Sequence, residues 1–305
     1  MPLEDVPLSE LPDFARLAEE LGYTDAWSME VNGLDGFTPL AAVAAVTGLR
    51  VGTAIIPVFI RPPGLLAMHA AAMAELAPGR FVLGIGSSTP VVVEQWLGVP
   101  FAQPLTRTRE TAVAVRALLA GERHGNMRLA RPPAEPPAIY LAALGPKMLQ
   151  SAGELADGVI FFLAGPRIIP DLLRQVGREL DSVARLVVIR GGSEEAVVAA
   201  RRALTTYALV PFYARSLERQ GFGEEVKAIQ ERWQAGDRAG AVGQVSGAMV
   251  AELLLVGEVD RIAEGLAAYR RAGLRTPVLA FSPVGPDPAS RRAEVDLLLR
   301  ELAGS

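Results

Sequence analysis

Two loops in this chain combine the residue types that hold a phosphate-bearing ligand. In the first loop, the apolar run 81–86 ends at Gly86 and leads into Ser87 and Ser88. This pattern is typical of a buried strand that ends where the backbone can approach a ligand closely. Pro90 suits the first position of a helix, and the N-terminus of a helix attracts anions. An ordinary helix N-cap explains the hydroxyl residues equally well, because Ser and Thr also favour that position.

The second loop repeats this arrangement after the apolar run 138–143. The next residues are Leu144, Gly145, Pro146 and Lys147. A glycine turn, a proline at the start of a helix and a neighbouring lysine suit a phosphate group. Two such loops after adjacent parallel strands predict one shared anionic ligand. They also lie at the carboxyl ends of their strands, where β/α barrels keep their active sites.

Other common site chemistries have no motif in this sequence. The chain contains no G-x-S-x-G, no G-x-x-x-x-G-K-[ST] and no H-E-x-x-H. The loop at Gly86 lacks the third glycine of the dinucleotide-binding fingerprint. With no cysteine there is no disulfide, thiol nucleophile or thiolate metal site, and we predict no bound metal. His69 lies mid-helix among alanines, which favours a structural role, and His124 is expected to be solvated in a loop.

The composition favours a globular protein that acts on a small molecule. Half of the 305 residues are hydrophobic and 21% are charged, so the chain can bury a large core. The 30 basic and 34 acidic side chains give a net charge of −4, so no nucleic-acid partner is expected. No stretch reaches the ~18 uninterrupted apolar residues of a membrane span, and the first ten residues lack a signal-peptide pattern. We therefore expect a soluble, cytoplasmic protein with no membrane partner.

Apolar runs alternate with helical patterns along most of the chain, which is the signature of a parallel sheet. The predicted strands are Thr24–Met29, Arg50–Ile56, Arg80–Ile85, Ala138–Ala143, Gly158–Leu163, Arg185–Arg190 and Pro277–Phe281. The predicted helices are Leu11–Leu21, Pro39–Thr47, Pro63–Leu76, Leu105–Leu119, Lys147–Leu155, Ile169–Leu180, Glu194–Tyr207 and Arg261–Ala272.

This alternation predicts one α/β domain over residues 1–305, a (β/α)8 TIM barrel. Only seven strand patterns are present and the chain opens with a helix, so the first barrel strand is expected to be missing or replaced. The segment 3–7 resembles the residues after the first strand in relatives, which favours a natural start upstream of Met1. Residues 209–249 form a predicted helical insertion before the last strand, either as a lid or oligomer contact or as plain packing on the barrel.

Several segments resemble the luciferase-like monooxygenase superfamily, and specifically its branch that uses the deazaflavin coenzyme F-420. The segments that carry the likeness are 80–88, 96–101, 107–110, 139–146 and 152–158, with further similarity at 210–213 and 221–223. They are specific for the superfamily, less so for the cofactor and hardly at all for the substrate. The resemblance implies a TIM barrel, commonly a homodimer, with the cofactor ring across the C-terminal mouth.

The same resemblance implies which residues hold the cofactor. Gly145 and Pro146 match the loop around the cofactor's phosphate, joined by the loop at Gly86. The strand 51–57 matches one that carries a non-prolyl cis peptide bond in the deazaflavin branch, and an ordinary trans strand is the alternative. By position, the cis bond falls between Ala54 and Ile55, against the ring. The full predicted cofactor-binding set is Ala54, Ile55, Gly86, Ser87, Ser88, Ala142, Ala143, Leu144, Gly145, Pro146 and Lys147.

Two departures from the family bear on catalysis. Deazaflavin dehydrogenases usually carry an acidic–histidine pair after the strand around Trp27, whereas here Glu30 keeps the acid and Val31 stands at the histidine position. Glu30 and Asn32 are therefore the catalytic candidates, with a solvated loop as the alternative for both. Leu144 replaces a frequent glycine in the phosphate loop.

The sequence is thus interpreted as an oxidoreductase that transfers a hydride between coenzyme F-420 and a small organic substrate. The cofactor would carry the hydride, and Glu30 would polarise or deprotonate the substrate. A monooxygenase that uses flavin mononucleotide (FMN) is the alternative within the same superfamily. A degenerate, non-catalytic flavin-binding barrel that acts through dimerisation is a third interpretation, favoured by Val31 and the missing strand.

Overall fold

The computed structural model describes residues 6–304, and these group into two compact units. The first unit comprises the described residues up to Ile160, together with Val176–Ser182 and Gly304. The second comprises Phe161–Gln175 and Val183–Ala303. Of the segment 3–7, which was compared with relatives above, residues 3–5 lie outside the described part of the chain.

The first unit is built on parallel strands that are buried on both faces. The strands are β1 (Asp25–Ser28), β2 (Arg50–Thr53), β3 (Ile56–Pro57), β4 (Phe81–Gly86), β5 (Ala138–Ala142) and the first part of β6 (Gly158–Phe162). The sheet order is β1-β2-β4-β5-β6, and the short β3 also pairs with β4. All six residues of β4 are buried, as expected for a strand with neighbours on both sides and elements over both faces.

Helices alternate with these strands. They are α1 (Leu11–Glu20), α2 (Thr38–Ala44), α3 (Pro63–Leu76), α4 (Pro104–Leu119), α5 (Pro146–Leu155) and a π-helix over Val91–Trp96. Each of α1 to α5 has a proline at its first or second position, where the missing N–H is not needed. In α1 the buried side chains recur every three to four residues, so one face packs inward.

The second unit contains the larger part of β7 (Asp181–Arg190), with β8 (Leu255–Gly257) and β9 (Thr276–Phe281) paired in parallel to it. Its helices are α6 (Ile169–Val176), α7 (Glu194–Ala208), α8 (Pro211–Arg219), α9 (Gly223–Gln234), α10 (Arg238–Gly243), α11 (Gly247–Leu253), α12 (Val259–Arg271) and α13 (Pro288–Glu301). Helices α7 to α11 share a buried core that includes Leu204, Leu217 and Ile229.

Each predicted helix is present in the structure, with shifts at some ends. The predicted strands are present too, but the strand predicted over Arg50–Ile56 is divided into β2 and β3, because Ala54 and Ile55 belong to neither. The helix from Ile169 ends at Val176 rather than Leu180, because Gly177 comes next with a φ of +82°, and β7 begins at Asp181. The segment 209–249 is largely helical as predicted. It precedes the last strand, as predicted, with β8 and α12 between it and β9.

The sequence pattern missed β8 because three residues give too short a run to show periodicity. Among the described residues the first element is α1 and the first strand is β1, so no strand precedes α1 there. Within the same residues no helix is long and apolar enough to cross a membrane.

Candidate functional site

Four strands of the first unit end at predicted site residues. Glu30 lies two residues after β1, Ala54 and Ile55 follow β2, β4 ends at Gly86 and β5 ends at Ala142. Neighbouring strands in this series pair in parallel, so their carboxyl ends share one edge of the sheet. The fold of the first unit therefore brings residues from four separate stretches of sequence to the same edge.

A buried hydroxyl fixes β2 against β4 just before this edge. Thr53 Oγ1 donates to the carbonyl oxygen of Gly84 at 2.8 Å and accepts from the Gly84 N–H at 2.9 Å. A Cβ atom at Gly84 would lie 1.8 Å from the carbonyl oxygen of Thr53, so only glycine allows the two strands to come this close. The approach sets the position of the next two residues of the chain, Ala54 and Ile55.

The peptide bond between Ala54 and Ile55 is cis, as the family resemblance led us to expect. The backbone on both sides of this bond is hydrogen-bonded to the end of β1 and to the loop that follows it. The Ala54 N–H donates to the Ser28 carbonyl oxygen at 2.6 Å, and the Glu30 N–H donates to the Ile55 carbonyl oxygen at 3.2 Å. The loops that come after β1 and β2 are therefore held together at Glu30.

Small and aliphatic side chains meet where β4 and β5 end. A methyl group at Gly86 would lie 2.9 Å from Ala142 Cβ and 3.3 Å from Ile55 Cγ1. Glycine is thus needed for close packing at this point, and it leaves a low, apolar surface formed by Ile55, Gly86 and Ala142. Ile55 and Ala142 remain half-buried, so part of this surface is accessible.

The loop after β4 turns sharply at Ser88, which has a φ of +60°. The hydroxyl of Thr89 accepts from the Val92 N–H at 3.1 Å and so caps the π-helix. The N-cap interpretation of this loop therefore holds for Thr89. Ser87 Oγ instead lies 3.4 Å from the carbonyl oxygen of Ser88, within the loop itself.

The loop after β5 leads to the N-terminus of α5. Gly145 occupies the N-cap position, Pro146 begins the helix, and no side chain caps the first turn. A Cβ atom at Gly145 would meet no atom within 4 Å, so open space adjoins the helix start. Lys147 is exposed beside it, whereas Ala143 is buried and donates its N–H to the carbonyl oxygen of Ile160 at 3.1 Å. An uncapped helix start next to a lysine and open space suits an anion.

The orientation of α5 is fixed by α4. Arg109 Nη1 donates to Ser151 Oγ at 2.8 Å and to Glu154 Oε2 at 2.7 Å. Arg109 belongs to the Arg107–Glu110 segment that carried part of the family likeness. Its contacts fix the helix that begins at Pro146 but lie away from that helix start.

Glu30 is held by an arginine that the sequence interpretation missed. Arg61 donates from Nε to Glu30 Oε1 at 3.0 Å and from Nη2 to Glu30 Oε2 at 2.8 Å. The Gly36 N–H also donates to Oε2, at 3.1 Å. Arg61 is the only charged residue in the stretch 51–74. A single charged residue shortly after an apolar strand is the sequence signal that could have identified Arg61.

The second catalytic candidate, Asn32, is exposed in the loop between β1 and α2. The same loop is secured at its far end by Asp35, whose Oδ1 accepts from the N–H groups of Phe37 at 2.9 Å and Thr38 at 3.0 Å. Burial opposes ionisation of Asp35, but hydrogen bonds from Thr38 and Phe37 and the charge of Arg61 outweigh it and lower its pKa. The structure thus brings Glu30 into the cluster at the strand ends, whereas Asn32 faces solvent.

A separate polar network lies at the opposite, N-terminal ends of the strands. Arg50, at the start of β2, pairs with Asp25 and with Asp181, the latter at 2.7 Å. The Tyr140 hydroxyl donates to Asp181 at 2.5 Å, and burial followed by this bond raises the pKa of Tyr140. In β/α barrels this end of the strands contributes to stability rather than catalysis. The network was not predicted, because residues 25, 50, 140 and 181 are far apart in sequence.

Comparison with solved structures identifies the fold. The coenzyme F-420-dependent tetrahydromethanopterin reductase of Methanopyrus kandleri aligns over 100% of this chain and 96% of its own, with a TM-score of 0.76 and 22% identity. An F-420-dependent secondary alcohol dehydrogenase, solved with an F-420–acetone adduct, aligns over 98% and 97% of the two chains, with a TM-score of 0.69 and 16% identity. The chain has the α/β fold of these luciferase-like TIM barrels, which confirms the predicted fold class.

Sequence comparison then gives the family. The model of the luciferase-like monooxygenase family matches residues 1–276, and the chain therefore belongs to that family. The 5,10-methylenetetrahydromethanopterin reductase of Methanolobus tindarius is 26% identical, over 98% of this chain and 97% of the relative. The predicted resemblance is confirmed, and the protein is an oxidoreductase of the luciferase-like superfamily.

Proposed function

We propose that this protein transfers a hydride between coenzyme F-420 and a small organic substrate. One observation carries the proposal. The apolar surface of Ile55, Gly86 and Ala142 lies at the ends of β4 and β5, and these two strands lead into the two predicted phosphate loops. A planar ring with a phosphate-bearing tail needs both features. The relatives named as F-420-dependent enzymes support this cofactor.

The residues present fit such a group. Ala54, Ile55, Gly86 and Ala142 would lie against the ring, since they offer a surface without charge and with little side-chain bulk. Ser87 and Ser88 would contact the tail after β4. At the start of α5, Gly145, Pro146 and Lys147 would hold its phosphate, flanked by Ala143 and Leu144, because that helix start is uncapped and open.

When bound, the coenzyme supplies the hydride chemistry, and this chain's residues position the reactants and handle the proton. Oxidation of an alcohol, for example, removes a hydride from carbon and a proton from oxygen, and both are taken up as the coenzyme is reduced. Glu30 is the residue proposed to contact the reacting group of the substrate. Asn32 is a second candidate contact in the same loop.

The substrate class is proposed from the relatives. Those named here act on 5,10-methylenetetrahydromethanopterin or, as a secondary alcohol dehydrogenase, on alcohols. In both kinds of compound, the carbon that gives up or accepts the hydride is bonded to nitrogen or oxygen. We propose a substrate of that general type. We also propose a cytoplasmic homodimer, as the family resemblance implies, which light scattering of the purified protein would test.

The deciding experiment measures binding of purified protein to F-420 and to FMN by fluorescence quenching and calorimetry. We expect F-420 to bind at least ~10-fold more tightly, a difference of ~1.4 kcal/mol. Tighter binding of FMN would favour the monooxygenase alternative. Binding of neither compound would leave the degenerate barrel as the better interpretation.

A further inference from the structure

Glu30 and Arg61 form a two-point ion pair at the edge of the candidate site. The pair joins the guanidinium Nε and Nη2 atoms to the two carboxylate oxygens, and the two side chains are only 13% and 15% exposed. Such a fork fixes the plane of the carboxylate as well as its position, which a lysine cannot do. Arg61 precedes α3, so the pair also connects the loop after β1 with the start of that helix.

The guanidinium group of Arg61 is itself fixed by two ring side chains. Its Cζ atom lies 5.1 Å from the centre of the Phe37 ring, and its Nη1 atom lies 3.4 Å from His69 Nε2. His69 Nδ1 lies 2.8 Å from the carbonyl oxygen of Leu65. A carbonyl oxygen only accepts and a guanidinium group only donates, so Nδ1 donates to Leu65 and Nε2 accepts from Arg61. The rings of His69 and Phe37 stack with centres 4.8 Å apart.

The two carboxylate oxygens of Glu30 accept different numbers of hydrogen bonds. Oε2 accepts from Arg61 Nη2 at 2.8 Å and from the Gly36 N–H at 3.1 Å, which fills the two acceptor positions of a carboxylate oxygen. It also lies 3.1 Å from Arg61 Nε, which is shared between the two oxygens. Within the described residues Oε1 accepts only from Arg61, through Nε. One acceptor position on Oε1 therefore remains available to a molecule from outside the chain.

We infer that Arg61 is a positioning residue that aims Glu30 Oε1 at the substrate, and that the substrate presents an O–H or N–H donor to this oxygen. The inference rests on the proposed function and narrows it to substrates with a donor at the reacting group, such as alcohols or reduced nitrogen heterocycles. His69 acts through Arg61 and does not contact the substrate. Carbonyl compounds and alkenes without a donor fit the site less well.

The test uses three probes, each with F-420 in the redox state that balances the reaction. Two probes, 2-propanol and 1,2,3,4-tetrahydroquinoline, carry an O–H or N–H donor beside the carbon that gives up the hydride and are assayed with oxidised F-420. The third, cyclohex-2-en-1-one, carries no donor, accepts a hydride and is assayed with reduced F-420. The variants are Arg61→Met, Arg61→Lys, Glu30→Gln and the double variant Arg61→Met/Glu30→Gln. Arg131→Met is the matched control, because Arg131 forms an exposed pair with Glu75 in the same unit, with side chains 79% and 67% exposed.

We expect the wild-type protein to turn over at least one donor-bearing probe. In Arg61→Met, kcat/KM for that probe falls at least ~10-fold, and most of the loss is in kcat. The reason is that Glu30 is still present, but its Oε1 is no longer correctly oriented toward the substrate. Millimolar guanidinium added to Arg61→Met restores part of the rate, and Arg61→Lys restores less than full activity because it lacks the fork. The double variant is no slower than the slower single variant, which is the signature of one residue acting through the other. The control behaves like the wild type.

Several outcomes overturn the inference. These are unchanged turnover in Arg61→Met, fully additive losses in the double variant, no rescue by guanidinium in a folded Arg61→Met protein, or turnover of cyclohex-2-en-1-one alone. A wild-type complex that turns over none of the probes also overturns the assignment of a donor-bearing substrate. If the wild type does not bind F-420 at all, the proposed function itself is wrong, and this result is distinct from a failure of the inference about Arg61.

Discussion

Thr53 and Gly84 exchange two hydrogen bonds across neighbouring strands, one in each direction, through a single hydroxyl group. The hydroxyl donates to the Gly84 carbonyl oxygen at 2.8 Å and accepts from the Gly84 N–H at 2.9 Å, and both residues are buried. The pair lies one residue before Ala54, where the proposed ring-binding surface begins. Strand packing and site geometry are therefore set by the same contact.

Replacing Thr53 with valine keeps the shape of the side chain but removes the hydroxyl. Both backbone groups of Gly84 then lose their hydroxyl partner inside the protein, so we expect the free energy of unfolding to fall by about 1–3 kcal/mol. Urea unfolding monitored by circular dichroism measures the loss. Thr106→Val, at an exposed position on α4, is the control and should change stability by less than ~0.5 kcal/mol. Equal effects of the two substitutions would contradict the importance of the contact.

A second prediction concerns the close packing at the end of β4. Gly86→Ala places a methyl group 2.9 Å from Ala142 Cβ, so one of the two strand ends must shift. We expect affinity for F-420 to fall by ~10-fold, equal to ~1.4 kcal/mol, because the apolar surface changes shape. Fluorescence quenching gives the affinity. Gly243→Ala is the control, since a methyl group there meets nothing within 4 Å. If a folded Gly86→Ala protein binds F-420 as tightly as the wild type does, the ring does not bind at this surface.

The strand and helix pattern, and the grouping of the site at the strand ends, could be predicted from sequence. The reason is that an apolar run ending in glycine, as at Gly86, is a local signal, and parallel strands bring such ends together. The partner of Glu30 could not be predicted in the same way. Arg61 is separated from it by 31 residues, and only the packing of two loops brings them into contact. The Arg50–Asp181 pair, 131 residues apart, escaped prediction for the same reason.

The short strand β8 illustrates a different limit. Its three residues, Leu255–Gly257, gain strand character from pairing with β7 and not from their own pattern. By contrast, the cis bond at Ala54 was expected only through the family resemblance, because nothing in a run of small and branched residues indicates it. Most of the features that the residue pattern did not predict therefore depend on contacts between residues far apart in sequence, or were expected only from the family resemblance.

The proposed phosphate site gives a charge-based prediction. The chain has two lysines, Lys147 beside the start of α5 and Lys227 on α9, and both are exposed. Lys147→Glu and Ser87→Asp each place a negative charge where the phosphate is proposed to bind. We expect each to weaken F-420 binding by ~10-fold or more, and the effect should shrink in high salt as charges are screened. Lys227→Glu makes the same charge change elsewhere and should leave affinity within ~2-fold. If all three variants bind alike, the phosphate lies at another position.

The last prediction concerns pH and the network at the N-terminal strand ends. Burial opposes ionisation of Asp181, but hydrogen bonds from Tyr140 and Arg50 and the arginine charge outweigh it, so the pKa of Asp181 is lowered in the folded protein. A carboxyl group with a lowered folded-state pKa stabilises the fold above its unfolded pKa of about 4, and this stabilisation is lost as the pH falls through the folded-state value. Asp181→Asn should therefore reduce the free energy of unfolding at pH 7 by about 2 kcal/mol, because Arg50 and Tyr140 lose a charged partner. Below about pH 4 the wild type should approach the variant, since Asp181 is then increasingly protonated in the wild type as well. Urea titrations at a series of pH values compare the two proteins, with Asp13→Asn, whose carboxylate is 89% exposed, as the matched control. A difference between wild type and Asp181→Asn that stays constant from pH 7 to pH 3 would show that the ionised carboxylate of Asp181 does not stabilise the strand ends.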